Sequence, residues 1–300
     1  MRARPGHALV TGVGGFVGGA VARSLLQAGW QVTGAYRKCR PAELEGMGSL
    51  NLVAADLRNC ESLPGRYDYV VHCAAEVPAR CPDEDELFCS NVEGTRCLLA
   101  HAAISGAQNV TYMSSMAVYG AVSAAVVDER TSLNTAGRYA SSKAEGERQL
   151  AEWADRTGGA GVSIRLPGVV GTGGRNNFLC DTLQRILADQ PLTAFNPDAL
   201  FNNIVHVDDL AGFVVGLAAR MPKGHTALTI AAREPLAVRD VLARLYRRAR
   251  RGEQITWGRR GEPFVIGFER ACALGYTPPT VAGALDHFVA DVLADPAFAS

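Results

Sequence analysis

The chain has 300 residues, 48% hydrophobic and 20% charged, and its 30 basic and 30 acidic side chains balance to no formal net charge. That composition is globular, sufficient for one large domain or two modest ones, and the neutral balance leaves no footprint for nucleic acid or an anionic membrane. Eight cysteines are scattered without a Cys-x-x-Cys pair, and no apolar run reaches signal-peptide or membrane-span length, so reduced thiols in a cytoplasmic protein are expected.

HALVTG, at 7–12, reads as a short buried strand running into glycines, and GFVGGAVARSLLQAG, at 15–29, as a helix closed by Gly29. Between them Gly12, Gly15 and Gly18 recur every third residue. Glycine in such a turn permits a tight reversal, close approach of a pyrophosphate to the backbone, and helix-on-strand packing. The helix N-terminus then offers free N–H groups and positive dipole to the phosphates. WQVTGAYR, at 30–37, is a second strand. An acid at its end would bond a ribose 2′-hydroxyl, whereas a 2′-phosphate calls for Arg. The chain has Tyr36, Arg37 and Lys38 there, which favours NADP(H) over NAD(H). NLVAADL, at 51–57, and YDYVVHCAA, at 67–75, follow as strands three and four. Asp56 and Leu57 are positioned to meet the adenine, with helix capping the alternative for Asp56.

A long helix is expected over 83–106 and an apolar strand, NVTYMSS, over 109–115. RYASSKAEGE, at 138–147, then holds one of only three lysines in the chain, Lys143, four residues after Tyr139. Helical spacing of four puts both on one face. A phenol titrating at about 10 exchanges protons poorly at neutral pH, and a neighbouring cation favours its phenolate. GVSIRLPGVVG, at 161–171, gives a sixth strand. Apolar strands alternating with helices predict an α/β fold, a doubly wound parallel sheet of the Rossmann kind covered on both faces.

After Gly171 the alternation loosens into loops and one helix over 172–203. IVHVDDLAGFVVGLAAR, at 204–220, returns as strand and helix; a strand (HTALTIA), a helix near Val238 and a terminal segment complete the chain. The expected division is a Rossmann domain over 1–171, to which 203–222 returns, and a smaller C-terminal substrate-binding domain from 172–202 and 223–300. RLYRRARRGE, at 244–253, reads as a solvated helix end.

TGVGGFVG, HCAA, NVEGT, SSMAVYG, YASSK, RLPGVVG and VHVDDLA occur in that order. The ordered set resembles the extended short-chain dehydrogenases/reductases, the NAD(P)-dependent epimerase/dehydratase family, over residues 7 to about 280. By that resemblance Tyr139 is the general acid/base on the substrate hydroxyl or carbonyl. Lys143 lowers its pKa and holds the nicotinamide ribose, and Ser115 hydrogen-bonds the reacting oxygen. The resemblance extends the cofactor contacts to Phe16, Val17, Ala74, Ala75, Asn91 and Pro167, and it gives Asn177 and Arg260 to the nucleotide diphosphate of a substrate.

Departures narrow the reading. The sugar-nucleotide dehydratases follow the serine with an Asp–Glu pair, where this chain has Met116 and Ala117. The UDP-galactose 4-epimerase branch has Arg where Asn202 stands and Asn where Gly168 stands. Reduction or 4-epimerisation of a nucleotide sugar is expected, with a non-sugar ketone reductase and a non-catalytic dinucleotide sensor as alternatives. No metal is expected: His206 with Asp208 and Asp209 reads as a strand-to-helix junction with an Asp cap, and His72 as a packed strand residue. The resemblance also implies a homodimer through the helix that carries Tyr139 and Lys143 and its predecessor; ELFCSNVEGTRCLLAHA, at 86–102, and AEGERQLAEWA, at 144–154, both carry apolar positions beyond one inward stripe.

Overall fold

The computed structural model describes residues 6–295. Seven strands form one parallel sheet, in the order β3-β2-β1-β4-β5-β7-β12: β1 (His7–Thr11), β2 (Gln31–Tyr36), β3 (Leu50–Ala54), β4 (Tyr69–His72), β5 (Asn109–Ser115), β7 (Ala160–Leu166) and β12 (Gly224–Thr229). A two-residue strand, β6 (Val126–Val127), pairs elsewhere with β15 (Val265–Ile266).

The period-two pattern of the strands decides which side chains meet which helices. Ala8, Val10, Tyr69, Val71, Met113, Val162 and Ile164 face one side and pack with α1 (Phe16–Gln27) and α5 (Val207–Leu217). Leu9, Val70, Val110 and Tyr112 face the other and pack under α2 (Glu84–Ile104) and α3 (Arg138–Thr157).

A second core lies beyond the sheet. It gathers α4 (Phe178–Leu187), β9 (Leu192–Phe195), α6 (Val238–Ala249) and α8 (Val281–Ala294), together with Val170 and Ile204. Short strands frame it: β8 (Gly168–Val170) pairs with β11 (Ile204–His206), β10 (Leu200–Phe201) with β13 (Leu236–Ala237), and β14 (Ile255–Gly258) with β9. A short helix, α7 (Glu269–Ala273), returns to the first core, where Ala271 is buried. In the basic run at the end of α6, Arg244 and Arg248 clamp Asp286 of α8 and Arg251 pairs with Asp189.

Two expectations need correction. The strand over 224–229 does not belong to the smaller lobe: it hydrogen-bonds β7 along its whole length and forms the edge of the central sheet. Its apolar run suits a sheet edge as well as a small lobe, and only the crossover through α5 decides between them. The sixth strand is not continuous either. Pro167, which lacks an N–H, ends β7, and β8 turns away to pair with β11.

One buried network fastens α3 to the sheet. The Glu147 carboxylate accepts bidentate bonds from Arg165 at 3.0 and 2.7 Å and a 2.5 Å bond from the Ser114 hydroxyl. Arg165 also donates to the Tyr119 oxygen at 2.6 Å. Both charges are nearly sealed from solvent, with 6% and 7% of their side chains exposed. Removing one partner strands the other in low dielectric, so Glu147→Ala is expected to lower stability by about 3–5 kcal/mol. A denaturant melt with an unchanged midpoint would refute this.

Candidate active site

The Gly-rich turn is built by backbone contacts. Gly12 has φ +72°, and a Cβ there would lie 2.8 Å from the Ala74 nitrogen; one on Gly18 would lie 2.2 Å from the Gly12 oxygen. These two glycines are therefore required by the fold. Gly15 is different, since its Cβ would meet only the Gly12 oxygen, at 3.2 Å. That free space adjoins the start of α1, which carries no side-chain cap and no acid in its first turn. An uncapped N-terminus with open space over Gly15 fits a dinucleotide pyrophosphate, with the backbone of Phe16, Val17 and Gly18 as the donors.

The strand ends around this turn are cross-tied. Thr11 Oγ1 accepts from the Ala74 N–H at 3.1 Å and pairs with His72 Nδ1 at 2.8 Å, and His72 Nε2 meets Thr95 Oγ1 at 3.0 Å. Burial pushes the His72 imidazole down to about 3, so it is neutral and structural, as its place in a strand led one to expect. Ala75 continues the same loop to Glu76. Asn91 clamps the Glu76 peptide, accepting from its N–H at 2.7 Å and donating to its oxygen at 3.0 Å, and also donates to Ser142 Oγ at 3.0 Å. Ser142 in turn donates to the Tyr139 carbonyl at 2.9 Å. Asn91 thus ties the loop after β4 to the helix that bears Tyr139.

Arg37, at the end of β2, is ion-paired with Glu76. Sequence reading missed Glu76, one residue past HCAA, because nothing local marks it as a partner for residue 37. Asp56 is occupied by Arg58, through the backbone N–H at 3.0 Å and the guanidinium at 2.8 Å, and these bonds hold its carboxylate below the usual range. Leu57 packs over Gly94.

The three expected catalytic residues converge. Ser115 closes β5, accepts from the Ala117 N–H at 3.1 Å, and its hydroxyl meets the Tyr139 phenol. Lys143 Nζ donates to the Met113 carbonyl at 2.8 Å and lies 4.9 Å from the Tyr112 ring centre and 5.9 Å from that of Tyr139. The expected lowering of the Tyr139 pKa by Lys143 is not what dominates. Burial raises the phenol above its ordinary value, and the Ser115 hydrogen bond opposes that only in part. Burial also acts on the cation, pulling Lys143 down to about 8.

Of the remaining expected residues, Pro167 follows Leu166, the register partner of Ser115, while Asn177 and Arg260 have partners of their own. Pro167 is buried at the break between β7 and β8. Asn177 caps α4, accepting from the Cys180 N–H at 3.0 Å and donating to the Val169 oxygen at 2.9 Å. The Arg260 guanidinium lies over the Phe195 ring at 5.8 Å. Among the described residues no hydrogen bond joins Asn177 or Arg260 to the triad. Asn202 is fully used by the Ile266 peptide, with both bonds at 2.8 Å. His206, not an aspartate, caps α5, accepting from the Asp208 N–H at 3.3 Å.

This fold and site define a dinucleotide-binding enzyme class, and the comparisons agree. The chain belongs to the NAD dependent epimerase/dehydratase family, whose model matches residues 8–231. The Sinorhizobium fredii protein y4nG is 30% identical over 279 residues, covering 90% of this chain and 67% of that one. A dTDP-4-dehydro-6-deoxy-D-allose reductase from Streptomyces is 29% identical, covering 67% of this chain and 69% of its own. The 2-alkyl-3-oxoalkanoate reductase of Shewanella oneidensis is 35% identical over 121 residues, 39% of this chain and only 30% of that protein. Among solved structures, the UDP-glucuronic acid 4-epimerase of Bacillus cereus in complex with NAD superposes with a TM-score of 0.84 at 20% identity, covering 97% and 99% of the two chains.

The buried lysine gives a stability test. Its folded pKa of about 8 lies below its ordinary 10.5, so between those values the unfolded chain binds more protons and stability rises with pH. Below pH 8 the folded state bears the full cost of a sealed cation, about 3–4 kcal/mol at 1.36 kcal/mol per pH unit. Lys143→Met is therefore expected to melt a few degrees above the wild type at pH 7, with the gap closing toward pH 10.5. Scanning calorimetry without cofactor reads it, and a variant that melts lower at pH 7 would contradict it.

Proposed function

We propose that the protein is an NADP(H)-dependent reductase of a keto group on a nucleotide-diphosphate sugar. The observation that carries this is the Lys143 ammonium 5.9 Å from the Tyr139 ring one helical turn before it, with Ser115 opposing the upward shift of that phenol, in a chain whose glycine turn leaves the start of α1 uncapped. When bound, the nicotinamide supplies the hydride. Tyr139, held protonated by burial, gives its proton to the carbonyl oxygen as the hydride arrives on carbon, and Ser115 orients that oxygen. Lys143 holds the nicotinamide ribose. A phenol that stays protonated at neutral pH suits the reductive direction.

Arg37 is the group for the 2′-phosphate. The phosphate would take over the guanidinium now shared with Glu76, whose carboxylate works against it. Asn177 and Arg260 are the proposed diphosphate contacts in the second lobe. The dTDP-sugar reductase named above supports the substrate class. Epimerisation is the neighbouring reading within that class. The Shewanella oxoalkanoate reductase favours a second one, a non-sugar ketone, and the commitment of Asn202 to Ile266 fits it, since that position then offers nothing to a pyrophosphate. A homodimer through α2 and α3 in the cytoplasm belongs to the same proposal; Ile104, 86% exposed on α2, supports the interface. No helix among the described residues is long and apolar enough to cross a membrane.

Two experiments test the chemistry and the cofactor. Tyr139→Phe is expected to keep NADPH affinity and to lose about 10²–10⁴-fold in turnover on any substrate the wild type reduces, identified from a panel of UDP-, GDP- and dTDP-linked 4-keto sugars beside a β-keto acid. Retention of the full rate would remove Tyr139 from the mechanism. In fluorescence titrations the wild type is expected to bind NADPH at least about tenfold more tightly than NADH, the scale of one charge-assisted contact. Arg37→Ala should erase the preference and Glu76→Gln widen it. Equal affinity in the wild type, or NAD retained through purification, would shift the assignment to an epimerase.

A further inference from the structure

The sequence offers His206 and Asp208 at a strand-to-helix junction and nothing more. The fold adds His287 and Asp291, which lie four residues apart on one face of α8 and reach that junction from the other lobe. His206 is sealed from solvent, His287 and Asp291 are half-exposed, and Asp208 is at the surface. Among the described residues these four form a cluster in which one ligand atom from each lies within 4.8 Å of all the others.

The geometry is specific. The two imidazole rings stack at 3.7 Å with 18° between their planes, closer than the roughly 5 Å between ring centres on one tetrahedral ion, so the exposed His287 ring must swing outward for both Nε2 atoms to converge. Both Nε2 atoms address one carboxylate: His206 lies 3.1 Å from Asp291 Oδ2, and His287 lies 3.6 Å from Asp291 Oδ1. A tetrahedral ion with bonds of about 2.0–2.1 Å holds neighbouring donors about 3.4 Å apart, so these two spacings bracket what an ion requires. The far side of His206 is also provided for, since Asp208 Oδ2 lies 3.6 Å from Nδ1. A ligating histidine commonly gives its other ring N–H to a carboxylate, which fixes its tautomer.

We infer that His206, His287 and Asp291 bind one divalent transition-metal ion, with Asp208 orienting His206 from behind and water free to complete the coordination. Binding at His206 Nε2 moves the ring proton to Nδ1, where Asp208 accepts it. The Asp208 N–H that now caps onto Nδ1 turns to solvent at the exposed start of α5. Two carboxylates balance the charge of the ion. Imidazole and carboxylate donors without a thiolate suit zinc, cobalt or nickel. The ion would join α8, in the second core, to the end of β11 and the start of α5, which packs on the first. Among the described residues no hydrogen bond or ion pair joins these four to Ser115, Tyr139 or Lys143.

The test is titration of the chelator-treated, dialysed full chain with Co²⁺, followed by visible absorption and calorimetry, and with Zn²⁺, followed by the melting temperature. A Cys39→Ser/Cys89→Ser/Cys272→Ser background removes the exposed thiols as competing ligands. One ion per chain is expected, with the absorption of imidazole–carboxylate Co²⁺ and a melting point that rises with Zn²⁺. His287→Ala, a change at a half-exposed helix position, should abolish both effects. Asp208→Asn should weaken binding by about 10–100-fold, the measure of an outer partner. Failure to bind at sub-millimolar metal, or binding unchanged in His287→Ala or Asp291→Asn, would overturn the site and leave a hydrogen-bonded histidine–carboxylate cluster.

Discussion

The way one face of α3 is fastened to the sheet governs the candidate site. Tyr139, Lys143 and Glu147 follow at intervals of four, and each meets the sheet or the end of a strand: Ser115, the Met113 carbonyl, and Ser114 with Arg165. Gly146 lets the helix come this close, because a Cβ there would lie 2.4 Å from the Tyr112 hydroxyl. The buried Glu147–Arg165 pair is a costly way to make such a joint, since desolvating two charges consumes much of their attraction. What it provides is register. A helix anchored by a bidentate contact cannot slide along or roll on the sheet without stranding a charge, so the phenol and the ammonium stay in fixed relation to the end of β5.

The same closeness explains why the site works against the stability of the fold. Tyr139 and Lys143 are both displaced from their ordinary titration ranges by burial, one upward and one downward. Neither displacement serves packing, since an apolar side chain of similar volume would fill either position at lower cost. What polar company they have is one partner each, the Ser115 hydroxyl for the phenol and the Met113 carbonyl for the ammonium.

Much of this was legible beforehand. The glycine turn, the strands of the sheet up to β7 and the Tyr139–Lys143 spacing follow from local pattern, because one strand end, one turn and one helix face carry them. Residues paired across the fold were not legible. Glu76 opposite Arg37 and His287 opposite His206 are separated by 39 and 81 positions, and no periodicity links such partners. The strand over 224–229 was misjudged for a related reason: its sequence predicts a strand, but membership of a sheet is decided by a crossover that only the tertiary path reveals. Asn177 shows the opposite limit. Its motif position points to a ligand, while its amide bonds neighbouring backbone at the start of α4.

The edge position of β12 has a consequence for how the chain is made. The central sheet is completed by a strand that follows the entire excursion through α4, β9 and β10, and α5, which covers one of its faces, also lies beyond that excursion. During synthesis the first 166 residues can assemble six strands, but the face destined for α5 stays uncovered until about residue 217 has emerged, and the flank of β7 stays unpaired until Thr229. An exposed apolar sheet face and an open strand edge are the features through which nascent chains associate wrongly. The break at Pro167 therefore links the two lobes in time as well as in space: the part that would hold the dinucleotide cannot be finished until α4 and β9, the first elements of the other, have been made.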